Sequence, residues 1–335
     1  MEHGDLKKKY IIITSIYNPT EAVIKFSKMV DYQLIVVGDK KTPIDWNCNN
    51  VDYISVNQQE SSNFELANVL PYNHYCRKML GYLKAIESGA EYIVDTDDDN
   101  IPKDKWSFPE FDQKYDLISD DKGFVNIYQL YTKQRIWTRG LPLNLINTQF
   151  DLDKCLTVKD CKIGIWQGLA DEDPDVDAIY RLTNNSQCYF DSREPVALGK
   201  GTVSPFNTQN TMIRKELYAL LYLPTYVTFR FTDILRGLIA QPIMWLYDYK
   251  LGFTNATVVQ KRNPHNYMKD FISEIPMYQD CERVIELILN SISCSESIET
   301  NLYNAYKSLL KENIVCEKEM ITLDAWLNDI NKLNH

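Results

Sequence analysis

The sequence predicts an α/β fold in which a mostly parallel central sheet is covered by helices on both faces and continues into a helical C-terminal appendage. Three observations lead there: uninterrupted apolar runs separated by helix-like stretches, an acidic cluster that ends one of those runs, and a helical apolar period that takes over beyond Pro276. Strands of a parallel sheet covered on both faces read as continuous apolar runs, because neither face meets water.

Tyr10-Ile11-Ile12-Ile13-Thr14-Ser15 is such a run, and Asn18-Pro19-Thr20 ends it and caps a helix near 21–29. Leu34-Ile35-Val36-Val37-Gly38-Asp39 repeats the pattern. A strand at 51–56, a helix at about 75–88 and the strand Glu91-Tyr92-Ile93-Val94 follow. From 111 to 201 the pattern is mixed, with strand-like pieces at 124–131 and 164–169 among polar turns. A helix runs from about 234 to 247, and Val284, Ile285, Leu287 and Ile288, then Leu302, Tyr306, Leu309 and Leu310, recur at helical spacing.

At 335 residues the chain can bury a sizeable core. A net charge of −10, from 46 acidic and 36 basic residues, speaks against nucleic acid or an anionic membrane as partner and for small or carbohydrate ligands. Eight cysteines show no CxxC pair and no zinc-like spacing, and read as reduced thiols. The polar N-terminus runs straight into the first strand, and no apolar stretch of about 18 residues occurs. The expectation is a cytoplasmic protein without an integral membrane segment, peripheral at most to the inner face of the membrane.

Asp95, Asp97, Asp98 and Asp99 would repel one another at the end of a buried strand unless a cation or hydrogen-bond donors offset the charge. Mg²⁺ or Mn²⁺ takes one or two carboxylates plus phosphate oxygens, so an Asp-x-Asp (DxD) after a strand can clamp a diphosphate. In an extended chain Asp97 and Asp99 point the same way, one toward ribose or metal and the other to the metal directly. The plain alternative is a solvated turn capping the next helix; the position after an apolar strand favours the metal. Asn100-Ile101-Pro102 is expected to turn the chain sharply away.

Ligands gather at the carboxyl ends of such strands, which makes Thr14, Asn18, Asp39 and Lys40 candidates for base and ribose. Arg77 and Lys78 either pair with a diphosphate or form a solvated helical face. Asp171, Asp173, Asp175 and Asp177 hold sugar hydroxyls or make a surface turn around Pro174. Asn207, Gln209 and Asn210 read hydroxyls or hold a turn, and Trp137, Trp166 and Trp245 stack on sugars or fill the core. Asp233, at a helix start, is by its residue type an N-cap.

Several long motifs in order carry a resemblance. Pro71-Tyr72-Asn73-His74-Tyr75-Cys76-Arg77-Lys78, Gly81-Tyr82-Leu83, Ala85-Ile86, Gly89-Ala90 and Asp95-Thr96-Asp97-Asp98-Asp99 resemble the STELLO-type glycosyltransferase-like proteins. So do the segment from Gln167 to Leu182, Pro205-Phe206-Asn207-Thr208-Gln209-Asn210-Thr211, Asp233-Ile234-Leu235-Arg236-Gly237 with Ala240-Gln241, and Arg262-Asn263-Pro264-His265-Asn266-Tyr267. The likeness covers roughly 10–274. A weaker one links the aspartate triplet, Val176-Asp177-Ala178 and the Asp233 helix to the reversibly glycosylated polypeptides.

The resemblance implies a glycosyltransferase-A fold that binds a UDP- or GDP-linked sugar through Mn²⁺ or Mg²⁺ and passes the sugar to a glycan or lipid-linked acceptor, as in surface polysaccharide synthesis. It places Asp97, Asp99 and His265 at the metal, with His265 otherwise a hydrogen-bonded loop histidine. It also makes Asp233 the general base of an inverting transfer. The catalytic domain then covers 1–275, with a nucleotide half at about 10–110 and an acceptor half at about 111–275, and the appendage covers 276–335. Two departures from the plant proteins are the absent membrane anchor and the tail beyond 276, which has no apparent counterpart. Other readings are a nucleotide-sugar mutase, in which an arginine near Val-Asp-Ala acts although here Arg181 follows that segment, a non-catalytic scaffold of the same fold, and a metal-dependent nuclease or phosphatase.

Overall fold

The computed structural model describes residues 8–262 and 266–333. The apolar runs form β1 (Lys9–Thr14), β2 (Tyr32–Val37), β3 (Val51–Ile54) and β4 (Tyr92–Thr96), which lie in the order β3-β2-β1-β4, all parallel. Helices α1 (Glu21–Phe26), α2 (Val56–Glu60), α3 (Glu65–Val69) and α4 (Lys78–Glu87) connect them.

Strand alternation sends Ile11 and Ile13 into one core with Val23 and Phe26 of α1, and Tyr10 and Ile12 into the other with Met79, Tyr82 and Leu83 of α4. Helix α4 sits so close to the sheet that a Cβ on Gly81 would lie 2.7 Å from Ile12 Cγ2 and 2.8 Å from Val37 Cγ2. One turn of 3₁₀ helix, Tyr75–Arg77, leads into it.

The sheet continues through β5 (Asn100–Pro102), β6 (Asp112–Ile118), β8 (Leu156–Glu172), β9 (Val196–Leu198), β11 (Asn210–Arg214) and β12 (Lys250–Gln260), while β7 (Gly123–Phe124) and β10 (Thr202–Val203) pair separately. Strand β11 runs antiparallel to both β4 and β8, so the parallel expectation holds for the first half and the second half is mixed. Only Phe124 of the expected 124–131 strand belongs to a strand, and Ile127–Leu130 is a 3₁₀ turn. The 164–169 piece lies within β8. Asn100-Ile101-Pro102 does not leave the sheet: it pairs antiparallel with β12, which ties down the loop before it.

Helices α5 (Ala178–Thr183) and α6 (Thr232–Leu246) cover this half, and α7 (Tyr267–Leu289), α8 (Ile298–Lys311) and α9 (Glu317–Leu333) complete the chain. Helix α7 runs through Pro276 without ending there, packs on α5 and α6, and shares one core with them. Three buried carboxylates join these late helices to earlier backbone: Glu274 accepts from Ala178 N at 2.7 Å, Glu319 from Thr225 N at 2.8 Å, and Asp329 from Leu66 N at 2.9 Å. Each satisfies an N–H that burial would otherwise leave unpaired. All eight cysteines are unpaired. Among the described residues no helix is long and apolar enough to cross a membrane.

Candidate functional site

Strand β1 is flanked by β2 on one side and β4 on the other, so the connections diverge at its carboxyl end and leave a crevice there. A cavity of about 360 Å³ opens at this point, within the range of small-ligand sites. Thr14 Oγ1 donates to Val37 O at 3.0 Å, closing the β1 and β2 ends together. Asp39 accepts from Lys40 N at 2.7 Å and from His74 N at 3.1 Å, which holds the loop before α4 against the crevice.

The acidic cluster divides into two parts. Asp95 is 1% exposed and lies between Lys78 Nζ at 3.0 Å and Arg236 Nη1 at 2.8 Å, a neutralised structural group. Lys78 also donates to Thr96 O at 2.7 Å and to Asp97 Oδ1 at 2.8 Å. Residues 97–100 close a turn, with Asn100 N donating to Asp97 O at 3.3 Å, rather than running extended. The turn brings Asp97, Asp98 and Asp99 to one cavity wall. Burial pushes the Asp97 carboxyl up to about 7 despite Lys78, and raises Asp98 despite its hydrogen bond from Ser15. Gln260 Nε2 donates to Asp99 at 3.2 Å.

The facing wall is built on arginines. Asp233 lies inside the first turn of α6, whose N-cap is Phe231, so it is not the N-cap that its residue type suggested. Arg139 grips both its oxygens, Nη1 at 3.0 Å and Nη2 at 2.8 Å, and gives Nε to Asp175 at 2.8 Å. Gly140 follows at φ 90°, and a side chain there would collide with Ile234 and Pro205. Burial acts to raise Asp175, yet Arg139 and Arg230 outweigh it and hold the carboxyl at about 2. Arg230 Nε is held by Glu274 of α7 at 2.9 Å. Arg236 Nη2 donates to Asn207 O at 3.0 Å and Asn207 Nδ2 to Asp175 at 2.9 Å, so a buried polar chain runs under the cavity from Lys78 to Asp233.

Thr14, Asp39, Asp97, Asp98, Asp99, Asn207, Gln209 and Asp233 therefore meet at one cavity. Arg77 does not: it is fully buried, donates to Gln59 at 2.6 Å and Leu70 O at 3.1 Å, and stacks on Tyr72, which rules out a solvated face as well. Lys78 reaches the site only through Asp95 and Asp97. Lys40 lies over the Tyr72 ring, Asn18 is exposed outside the cavity, and Asn210 is engaged with Trp106 and Thr257. His265 lies outside the described residues.

The 171–177 run is no surface turn at its centre, since Asp175 and Asp177 are buried and Asp177 caps α5. Arg181 is turned to Asp173 at 2.8 Å and is not part of the cavity wall. None of Trp137, Trp166 and Trp245 lines the cavity; all three are buried. Sequence reasoning missed Arg139, Arg230 and the cavity-facing role of Arg262. The available signals were weak ones: Arg139 precedes a glycine and Arg230 stands three residues before Asp233.

Residues 230–335 match the family model described as STELLO glycosyltransferases. The chain is 26% identical over 346 residues to "Probable glycosyltransferase STELLO1" of Arabidopsis thaliana, an alignment covering 96% of this chain and 44% of that protein. It is equally similar, 26% over 344 residues and 96% against 44% coverage, to "Probable glycosyltransferase STELLO2" of the same plant. The chain thus spans less than half the length of these relatives. The STELLO-type resemblance holds along nearly the whole chain, and it includes the tail beyond 276 for which no counterpart was expected.

Proposed function

We propose, from kinship with the STELLO-type glycosyltransferases and from the cavity described above, that this chain is a nucleotide-sugar-dependent glycosyltransferase. The observation that carries the reading is the meeting of Asp97, Asp98 and Asp99 with Asp233 at one strand-end cavity. Asp97 and Asp99 offer the hard oxygen donors that Mn²⁺ or Mg²⁺ prefers, and two carboxylates suffice when phosphate oxygens complete the shell. The ion, when bound, neutralises charge on the departing diphosphate.

The chain's own residues do the remaining work. Thr14 and Asp39 frame the pocket for base and ribose, and Asn207 and Gln209 face the sugar. Asp233 receives the proton of the acceptor hydroxyl while the anomeric carbon is attacked from the side opposite the leaving group, so the product is inverted. Arg139 fixes the direction of that carboxylate through two hydrogen bonds. A glycan or lipid-linked acceptor and a part in surface polysaccharide synthesis belong to the same proposal.

Thermal unfolding with UDP or GDP, with and without Mn²⁺ or Mg²⁺, tests it. A ligand at 100 times its Kd stabilises the native state by about 2.7 kcal/mol. A metal-dependent rise in Tm that disappears in Asp99→Ala supports the reading; no rise with any nucleotide and metal removes it and leaves the scaffold alternative.

A further inference from the structure

The arginine wall holds one guanidinium that no group among the described residues engages directly. Arg139 is engaged by Asp175 and Asp233 and Arg230 by Glu274, while Arg181, outside the cavity wall, is engaged by Asp173. Arg262 lines the cavity with Arg139, Arg230 and Asp233, yet among the described residues it has no hydrogen-bond or ion-pair partner. It is partly buried two residues beyond the end of β12, and its electrostatic neighbours are two like charges, Arg230 and Arg181, and two carboxylates, Asp175 and Asp270. Burial first, then Arg230 and Arg181, pull the guanidinium down to about 10 against the opposing pull of Asp175 and Asp270. A guanidinium drawn out of water beside other guanidiniums is costly unless an anion completes the set, and Arg presents a planar fork suited to phosphate or carboxylate.

Resting on the glycosyltransferase reading, we infer that the acceptor presented to Asp233 carries an oxyanion, a phosphate or a carboxylate, which Arg262 and Arg230 hold while its hydroxyl faces Asp233. This anion is separate from the donor's diphosphate, which the aspartate wall takes through the metal. The division follows from what each wall leaves open: the aspartates take a phosphate only through a cation, whereas the unpartnered guanidinium fork of Arg262 takes an anion directly. Glucuronate would represent the carboxylate source and glucose 6-phosphate the phosphate source.

The test is calorimetric titration of the full chain, at matched ionic strength, with glucose, glucuronate and glucose 6-phosphate, each alone and in the presence of UDP or GDP with Mn²⁺. The expected result is that at least one anionic sugar binds together with the nucleotide, at least tenfold tighter than glucose. Which of the two does so identifies the source. Arg262→Gln is expected to weaken that sugar at least tenfold while changing nucleotide affinity less than twofold, and Arg262→Lys is expected to recover part of the loss.

Equal binding of glucose and the anionic sugars, absence of binding by any of the three, or competition between sugar and nucleotide overturns the inference. So does a tenfold loss of nucleotide affinity in Arg262→Gln with the anionic sugar unaffected, which would give the guanidinium to the diphosphate. If wild-type protein binds nucleotide with Mn²⁺ but no anionic sugar, only this inference fails. If it binds an anionic sugar but no nucleotide under any metal, the glycosyltransferase reading fails and the anion subsite stands.

Discussion

The two walls of the cavity solve opposite electrostatic problems. On the aspartate wall Lys78 and Arg236 neutralise Asp95 and Lys78 also engages one oxygen of Asp97, while Asp98 is met by a hydroxyl and not by a cation among the described residues. On the arginine wall Asp175 and Asp233 are each gripped by Arg139, and Arg262 is left over. Among the described residues Asp98 on the first wall and Arg262 on the second are the groups without an ion-pair partner. A buried charge is tolerated when something completes it, so the first wall suits a cation and the second, at Arg262, an anion, and in the proposed function the substrate lies between them.

The largest expected effect comes from removing the cation that the arginine wall shares. Arg139→Gln leaves Asp175 and Asp233 buried without their partner, and breaking a buried pair in this way costs about 3–5 kcal/mol. Urea unfolding should show a midpoint well below wild type at an unchanged slope. A loss under about 1 kcal/mol would mean that water already completes this wall and that the contrast between the walls is overstated.

Asp233→Asn sharpens the comparison from the chemical side. It keeps an acceptor for Arg139 but removes the group proposed to take the proton. Turnover should fall about 10²- to 10⁴-fold while metal-dependent nucleotide affinity stays within about a factor of 3, because that affinity belongs to the other wall and a factor of 10 would already be 1.4 kcal/mol. Retained turnover would move the base elsewhere.

The aspartate wall was legible in the sequence because everything that makes it is local. A run of β-branched residues makes the strand, its end makes the loop, and Asp95 to Asp99 sit on consecutive positions. The arginine wall was not legible because it is assembled through space. Arg139 meets Asp175 across 36 residues and Asp233 across 94, and no periodicity links them. Arg77 and Lys78 show the converse error: their charge suggested solvent or phosphate, and only the packing of α4 against the sheet reveals that both are buried. The middle of the chain resisted reading for a related reason. Strand β8 is seventeen residues long, but its first half is largely exposed and polar, so only its apolar second half looked like a strand.

A smaller effect asks whether the late helices belong to the arginine wall. Glu274 of α7 accepts from Arg230, from Ala178 N and from Tyr278 Oη at 2.6 Å. Glu274→Gln keeps the shape and removes the charge, with an expected cost of about 1–3 kcal/mol. If α7 positions Arg230, the variant should also weaken the anionic sugar of the proposed subsite. Lost stability with unchanged sugar binding would make α7 a structural support only.

The smallest effect lies behind the same wall. Burial raises the Asp177 carboxyl to about 6, helped by the neighbouring charge of Glu274 and opposed by hydrogen bonds from Trp137 and Tyr180 N and by Arg230. A carboxyl whose folded pKa exceeds its unfolded one binds its proton more tightly in the native state. Its contribution is therefore fully present below the ordinary carboxylate range and is lost as pH rises through about 6. Between pH 7 and 5.5 this group alone should add about 1 kcal/mol of stability. Asp177→Asn retains an N-cap side chain and should flatten that part of the curve. The comparison is the difference between wild-type and variant unfolding midpoints across that interval, which cancels the titrations the two proteins share. If the difference does not change with pH, Asp177 is already ionised throughout, and the arginines of this wall, Arg230 first, reach further behind it than the cavity shows.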